Sequence, residues 1–261
     1  MKKFTLLLTA LIAVSMITVA QIKMYLHLED GTRVEYIASR VDSITFDSQI
    51  VEPDDSDKPE EKPGANAHEY VDLGLPSGTK WATCNVGADY PEDYGDYFAW
   101  GETEPKEEYD LSTYKWHEGS YYTHTKYCTS STYGKVDNKT TLDLADDAAN
   151  ANWGGNWRMP TKTEQDELRT ECTWTWTTQN GVKGYIVTSK SNGNSIFLPA
   201  AGYRDFSDLW DAGFNGYYSS SSLYKDDSGG ACRLYFESSY VSSGSYSLRR
   251  RGWSVRPVLA E

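Results

Sequence analysis

The segment from Leu198 to Val258 decides how the whole chain is interpreted, and its sequence is LPAAGYRDFSDLWDAGFNGYYSSSSLYKDDSGGACRLYFESSYVSSGSYSLRRRGWSVRPV. Between Tyr203 and Trp253 it has 12 aromatic residues in 51 positions, about 24%, against 14% for the whole chain. These residues are interleaved with Ser, Gly, Asp and Arg, whereas a protein core takes its bulk from aliphatic side chains. Antigen-binding loops show the same mixture, in which Tyr and Trp supply rigid contact area and small polar residues supply adaptable hydrogen bonds. The segment therefore predicts a recognition surface made of several short strands with long loops.

Two regular, apolar segments frame this surface and are predicted to be scaffold strands, Ser195–Pro199 and Gly252–Val258. Aromatic and arginine side chains anchor many protein interfaces, and flat aromatic rings also stack on sugars. The candidate ligand-binding residues are Tyr203, Asp205, Phe206, Tyr217, Tyr224, Arg233, Tyr235 and Tyr240. The alternative is a Tyr- and Ser-rich β surface that has no partner.

Charge and composition limit the class of protein. The chain has 261 residues and a formal net charge of −13. Phosphate binding needs clustered Lys and Arg, so this charge argues against a nucleic-acid partner and against a basic helix on a membrane surface. Low aliphatic content, 21 Gly and 20 Tyr favour a loop-rich fold with much β structure. Helices amid antiparallel strands predict an α+β fold class.

Residues 1–20 have the three parts of a secretory signal peptide. Met1-Lys2-Lys3 is basic, Phe4–Val19 is apolar, and Thr18-Val19-Ala20 places small side chains before a cut ahead of Gln21. The apolar run is shorter than a membrane span. We therefore expect the protein to be exported to the periplasm, the cell surface or the medium, with no transmembrane segment in the mature chain.

Residues 21–47 are predicted to form a small β-hairpin unit. Ile22–Leu28 and Thr32–Ile37 flank Asp30-Gly31, and Asp-Gly between alternating apolar runs is a strong hairpin signal. Asp42–Phe46 is a candidate third strand.

An acidic, Pro-rich linker is predicted at residues 48–66, which include six carboxylates and three prolines. Such a composition buries too little apolar surface to fold and acts as an extended spacer. The main domain is predicted at residues 67–261. Within it, Glu107–Asn138 is polar and Tyr-rich and is expected to be a long surface excursion.

A capping box, Thr161-x-x-Glu164, marks the start of a helix in the main domain, because the two side chains satisfy the free amides of the first turn. The predicted helices are Leu142–Ala149 and Lys162–Glu171. The predicted strands are Lys80–Val86, Tyr97–Gly101, Lys183–Lys190 and Ser195–Pro199.

The four cysteines, Cys84, Cys128, Cys172 and Cys232, are 44 to 60 residues apart. Export permits disulfides, and four cysteines allow three complete pairings among which sequence does not choose. No pair has the CxxC spacing of a zinc ribbon or a thioredoxin-type site.

Catalytic patterns are absent from the sequence. The histidines do not form HExxH, and Ser219–Ser222 has no GxSxG around it. Glu102 and Glu104 alternate along a possible strand, but two acids on a solvated edge are far commoner than a glycosidase pair. We predict no catalytic residue, metal site or cofactor.

Four phrases resemble a known family, and they are Tyr70–Ala88, Gly95–Thr103, Trp153–Thr161 and Gly252–Val258. They are similar to the Fibrobacter succinogenes major paralogous domain, which occurs in exported Bacteroides proteins. The resemblance covers about Glu69 to Leu259. Its phrase RMPTKTE is also similar to one in formylglycine-generating enzymes. The resemblance implies a C-type lectin-like fold, which those enzymes share with the variable proteins of diversity-generating retroelements.

The resemblance also bears on function. Formylglycine-generating enzymes bind copper with two late cysteines, and here Cys232 is the only cysteine in that region. The calcium-dependent sugar motifs of lectins are missing, and Glu104-Pro-Lys106 is the nearest approach. In retroelement proteins, randomised positions exclude Trp, Lys and Glu, which would assign Trp210 and Trp253 to the scaffold and leave Cys232 as a free thiol.

We therefore expect a non-enzymatic, exported binding module that recognises a protein or carbohydrate ligand at the cell surface through its C-terminal loops. Diversification by a retroelement is one way in which the sequences of these loops could arise. The alternative is a structural or adhesive surface component without a discrete ligand pocket. An oxidase or hydrolase is the third hypothesis, and it is disfavoured because the late cysteine pair is absent.

Overall fold

In the computed structural model of this protein, the described residues are 23–27, 33–37, 68–120 and 122–259. The chain divides into two units, residues 1–59 and residues 60–261. In the first unit, strand β1 (Lys23–His27) pairs antiparallel with strand β2 (Arg33–Ile37), which confirms the predicted hairpin. The predicted signal peptide, the candidate third strand at 42–46 and the linker at 48–66 lie outside the described residues.

The second unit has a mainly antiparallel β architecture with few helices, which confirms the predicted α+β class. No helix in the described part of the chain has the length and apolar character needed to cross a bilayer. The strands are β3 Tyr70–Val71, β4 Lys80–Ala82, β5 Tyr97–Phe98, β6 Trp157–Arg158, β7 Cys172–Gln179, β8 Val182–Ser189, β9 Ser195–Pro199, β10 Tyr203–Asp205, β11 Asp208–Trp210, β12 Gly216–Leu223, β13 Gly230–Glu237, β14 Tyr240–Leu248, β15 Trp253–Ser254 and β16 Val258–Leu259. The α-helices are α1 Ala148–Trp153 and α2 Lys162–Glu171, and a short 3-10 helix spans Leu144–Asp146.

A five-stranded sheet in the order β14-β13-β12-β15-β5 is the centre of this unit. Its neighbours are antiparallel except for the parallel pair β12–β15. The expectation of short strands and long loops is wrong here, because β12, β13 and β14 are eight or nine residues long. Only Ser238 and Ser239 separate β13 from β14. Tyr, Phe and Val favour strands. The small serines that alternate with them inside these strands fit where neighbouring strands pack closely.

The two faces of the central sheet follow the two-residue period of the strands. Tyr218, Leu234 and Phe236 are buried in the main core cluster together with Leu168 of α2. Tyr217, Arg233 and Tyr235 are one residue out of phase and therefore lie on the opposite face. This outer face carries most of the predicted ligand-binding residues.

A second sheet, β7-β8-β9, packs on the same core. Its first hairpin turns at Asn180-Gly181, where φ is +48° and +85°. An Asn-Gly turn with two positive φ angles matches the twist of a two-residue hairpin, a signal that our sequence analysis missed. The predicted strand Ser195–Pro199 is confirmed as β9, and Lys183–Lys190 is confirmed with a shift of one residue as β8.

A four-stranded sheet has the order β3-β4-β16-β6, and β10 and β11 form a separate two-stranded sheet. The segment Gly252–Val258 was predicted to be one scaffold strand, and this is wrong. It forms two short strands, with β15 in the central sheet and β16 in this one. The chain passes from one sheet to the other at Arg256, which lies between the two strands. The Arg256 side chain is buried and donates hydrogen bonds to surrounding carbonyls.

Helix α2 and its capping box are confirmed, with the Thr161 hydroxyl accepting from the Glu164 amide. The helix predicted over Leu142–Ala149 is wrong. The Asp147 carboxylate accepts from the amides of Ala149 and Asn150, so it caps a helix that starts at Ala148 and is preceded only by the 3-10 turn. Two predicted strands are shorter than expected, since β4 ends at Ala82 and β5 at Phe98.

The polar region 107–138 is irregular, as expected, but it is not confined to the surface. Tyr109, Tyr114 and Tyr127 are at most 3% exposed. Their hydroxyls donate to the carbonyls of Tyr97 and Trp100 and to the carboxylate of Asp146, respectively. Their rings and these hydrogen bonds compensate for the shortage of aliphatic side chains in this part of the core.

Candidate ligand-binding face

The outer face of the central sheet carries a group of rings and guanidinium groups that we call the aromatic–arginine face. It includes five predicted residues and two that were not predicted. Its members are Tyr203, Tyr217, Arg233, Tyr235, Tyr240, Arg251 and Trp253.

Strand pairing places the rings of this face in a row. Tyr217 on β12 lies directly opposite Tyr235 on β13, with ring centroids 5.0 Å apart. Tyr203 is 4.9 Å from Tyr217 and stacks on Trp253 at 5.3 Å with a 20° interplanar angle. Tyr240, 6.2 Å from Tyr235, extends the row to the sheet edge and is 54% exposed. Offset and tilted pairs at these distances are favourable for aromatic rings, so the row is a rigid platform.

Arg233 lies within this row of rings. Its guanidinium carbon is 4.7 Å from the ring centroid of Tyr217, 5.0 Å from that of Trp253 and 5.2 Å from that of Tyr235. Its Nε is buried without a hydrogen-bond partner, and within the described residues no carboxylate forms a salt bridge with it. Burial lowers the pKa of Arg233, and the positive charge of Arg251 lowers it further. The guanidinium is therefore partly desolvated, and only ring faces compensate its charge.

The hydroxyls of two rings are held by carboxylates. Tyr217 donates to Asp211 at 2.7 Å, and Tyr235 donates to Glu237 at 3.0 Å. Burial and the acceptor carboxylate of Glu237 raise the pKa of Tyr235 to about 12. Burial and Asp211 likewise raise the pKa of Tyr217. Both hydroxyls therefore keep their protons at neutral pH. The ring of Tyr235 is partly exposed and can contact a ligand, whereas Tyr217 is 7% exposed and supports it from within the row.

Asp205 positions two arginines beside the platform. It is 9% exposed, and its carboxylate forms ion pairs with Arg250 and, at 2.7 Å, with Arg251. Arg251 lies over the Tyr203 ring at 5.1 Å, and Arg250 lies over the Phe206 ring at 5.2 Å. These ion pairs fix the β10–β11 hairpin to the segment that precedes β15.

The β10–β11 hairpin exposes large apolar side chains. Tyr203 is directly opposite Trp210, which places both on the same face of the hairpin. Phe206 in the turn has φ +53° and is 53% exposed, and Trp210 is 50% exposed. Trp210 therefore lies at the surface beside the candidate face, whereas Trp253 is 2% exposed.

One predicted residue, Tyr224, does not join the face. It packs against Tyr246 at 5.3 Å and makes no ring contact with the aromatic–arginine face. The prediction of a loop-based site is also wrong for most candidates, because only Phe206 and Tyr224 lie outside strands. Our sequence analysis missed Arg251 as a partner, although the run of three arginines just before Trp253 was a usable signal.

A separate cavity of about 410 Å³ lies on the other side of β10, to which Arg204 points. Arg204 is partly buried, lies 5.5 Å above the Tyr97 ring, and forms no salt bridge within the described residues. The lining is Gly95, Asp96, Tyr97, Pro105, Lys106, Glu107, Tyr109, Arg204 and Ser207. The alternation of β10 thus separates this cavity from the aromatic–arginine face.

All four cysteines, which lie in the described part, are free thiols, and three of them are buried. Burial raises the pKa of the Cys232 thiol, which disfavours its reactive thiolate form. Among the described residues, no group of three or more His, Cys, Asp or Glu side chains is arranged to hold a metal ion.

Comparison of the chain with protein-family models, with curated proteins and with solved structures found no match.

Proposed function

We propose that this chain is an exported, non-enzymatic binding module that recognises a protein or carbohydrate ligand through its aromatic–arginine face. The observation that carries this proposal is Arg233, a partly buried guanidinium surrounded by three rings and lacking an acidic partner. A monomeric protein gains little from burying an uncompensated charge. A ligand that contacts the rings and the guanidinium turns the same arrangement into an anchor, and Tyr, Trp and Arg are the residues that dominate binding energies.

The proposal includes a C-type lectin-like fold and membership of the Fibrobacter succinogenes major paralogous domain family. In support, four of the five tryptophans in these phrases, Trp81, Trp100, Trp157 and Trp253, are at most 8% exposed, and Trp153 is half-buried. The indole of Trp100 donates to the carbonyl of Ser220 on β12, at the back of the candidate surface. Buried tryptophans of this kind suit a framework role for the phrases that carry the resemblance, on which the aromatic–arginine face is built.

The experiment is a binding screen of the purified chain on immobilised glycan and protein arrays, with the variants Y235A, Y240A and Y224A. We expect Y235A and Y240A to weaken any specific signal about five- to thirtyfold, since truncated aromatic anchors cost about 1 to 2 kcal/mol. Y224A is the matched control, because Tyr224 is outside the face. Equal signals from all three variants, or no ligand at all together with ordered assemblies of the protein, would favour the structural alternative.

A further inference from the structure

We infer that the aromatic–arginine face binds the carboxylate group of an acidic polysaccharide, with Arg233 donating to the carboxylate and the neighbouring rings stacking on the sugars. This inference rests on the proposed function and names the ligand class.

The missing counter-ion of Arg233 is the first argument. Its neighbours Arg250 and Arg251 share the carboxylate of Asp205, whereas Arg233 has only ring faces around it. Contacts with rings compensate part of the cost of desolvating a guanidinium, and an ion pair with hydrogen bonds compensates much more. A ligand carboxylate would supply the partner that the described residues lack.

The position of the guanidinium is the second argument. Arg233 precedes Tyr235 by two residues on β13, so both project from the same face, and Tyr217 is the cross-strand partner of Tyr235. The Arg233 residue keeps part of its surface in contact with solvent. Its planar fork suits bidentate binding of a carboxylate. A ligand that pairs with it therefore also contacts the ring of Tyr235, which is partly exposed, whereas Tyr217 and Trp253 are buried beneath the guanidinium.

The polar groups between the rings favour a polysaccharide over a peptide. Ser242 lies opposite Tyr235 and Ser245 lies opposite Arg233, and their hydroxyls are 3.2 Å apart. Sugars need donors and acceptors beside an aromatic platform, and this face supplies them from regularly spaced strands. Peptide anchors instead need well-packed pockets, and the 410 Å³ cavity described above lies on the other side of β10.

The test is calorimetric titration of the wild-type chain with trigalacturonate and with its methyl ester, which keeps the sugar rings but removes the charge. We expect the acid to bind at least about tenfold more tightly than the ester, because hydrogen bonds to a charged group are about twice as strong as neutral ones. In R233M this preference should fall to within about twofold. R204M is the matched control, because Arg204 also lacks a salt bridge but points to the other side of β10.

The outcomes separate the two proposals. Equal affinity for acid and ester, or an acid preference that R233M keeps or R204M abolishes, overturns the carboxylate assignment and leaves the proposed function standing. Binding of an oligoglutamate peptide without binding of trigalacturonate overturns the choice of a polysaccharide. The proposed function itself fails if Y235A and Y240A leave every ligand signal on the arrays unchanged, or if the arrays show no ligand and the protein forms ordered assemblies.

Discussion

The closing segment Gly252–Val258 contains a buried arginine and the aromatic–arginine face contains a partly buried one, and the two differ in their hydrogen-bond partners. Arg256 is 1% exposed, and its guanidinium donates to the side chain of Asn85 and to the carbonyls of Ala82, Thr83 and Phe197. Arg233 donates to no group in the described residues and is surrounded by rings. The same side chain thus connects three segments in one region and has no polar partner in the other.

A second framework arginine follows the first pattern. Arg249 donates to the Tyr114 hydroxyl and to the carbonyls of Lys126, Tyr127 and Ser228. These acceptors belong to irregular segments that have few backbone partners, so the arginine satisfies groups that would otherwise be orphaned. The structural arginines are thus recognised by their hydrogen-bond partners, and the lack of such partners at Arg233 is what motivates the proposal that it binds a ligand.

The largest expected effect is that of removing a framework guanidinium. R256M leaves the side-chain amide oxygen of Asn85 and three carbonyls in the core without their donor, so we expect a loss of about 3 to 5 kcal/mol of unfolding free energy. Urea denaturation at pH 7 measures it. R256K should recover only part of the loss, because an ammonium cannot reproduce the planar fork. A loss under 1 kcal/mol would remove the distinction between framework and face.

A framework arginine paired with an acid should make the fold sensitive to low pH. Burial alone would raise the pKa of Glu164, but hydrogen bonds from Arg158 at 2.5 and 2.8 Å and from Thr161 lower it to about 2. A lowered pKa stabilises the fold above the unfolded value near 4.5, and the contribution is lost as the pH falls through 2. We expect E164Q to be less stable than wild type by about 2 to 3 kcal/mol at pH 7.

The prediction for E164Q is controlled by measuring stability at several pH values. Urea denaturation at pH 7, 4 and 3 should show the difference between wild type and E164Q shrinking as the pH falls. A difference that stays constant with pH would show that Glu164 stabilises the helix start by its shape and neutral hydrogen bonds alone.

Local signals explain which parts of the fold were predictable. Helix α2 was predicted to the residue because its capping box, Thr161 and Glu164, acts within one turn. The roles of Arg249 and Arg256 were not, because their partners are up to 174 positions away in the chain and no local pattern marks them. The closing segment was mistaken for one strand for the same reason, since only the buried contacts of Arg256 show why it changes sheets.

The candidate face was predictable in composition but not in arrangement. Aromatic enrichment identified Tyr217, Arg233 and Tyr235, but their grouping depends on strand register. The register of the neighbouring pair β13–β14 shifts within the strands, and Gly244 with φ +72° is the extra residue of that bulge. Composition cannot place a bulge, and it also cannot separate Tyr224, which has the same residue type and pairs elsewhere.

The smallest expected effect on stability is that of the same substitution on the face, R233M. It leaves no acceptor without a donor, and it removes contacts with rings worth about 0.5 to 2 kcal/mol together with a guanidinium that is costly to desolvate. We therefore expect the unfolding free energy to stay within about 1 kcal/mol of wild type in the urea experiment used for R256M. A loss comparable to that of R256M would mean that Arg233 also stabilises the fold. The two arginines would then differ only in what they contact, rings for Arg233 and polar groups for Arg256. A small effect on stability, combined with the loss of carboxylate preference, would assign Arg233 to binding.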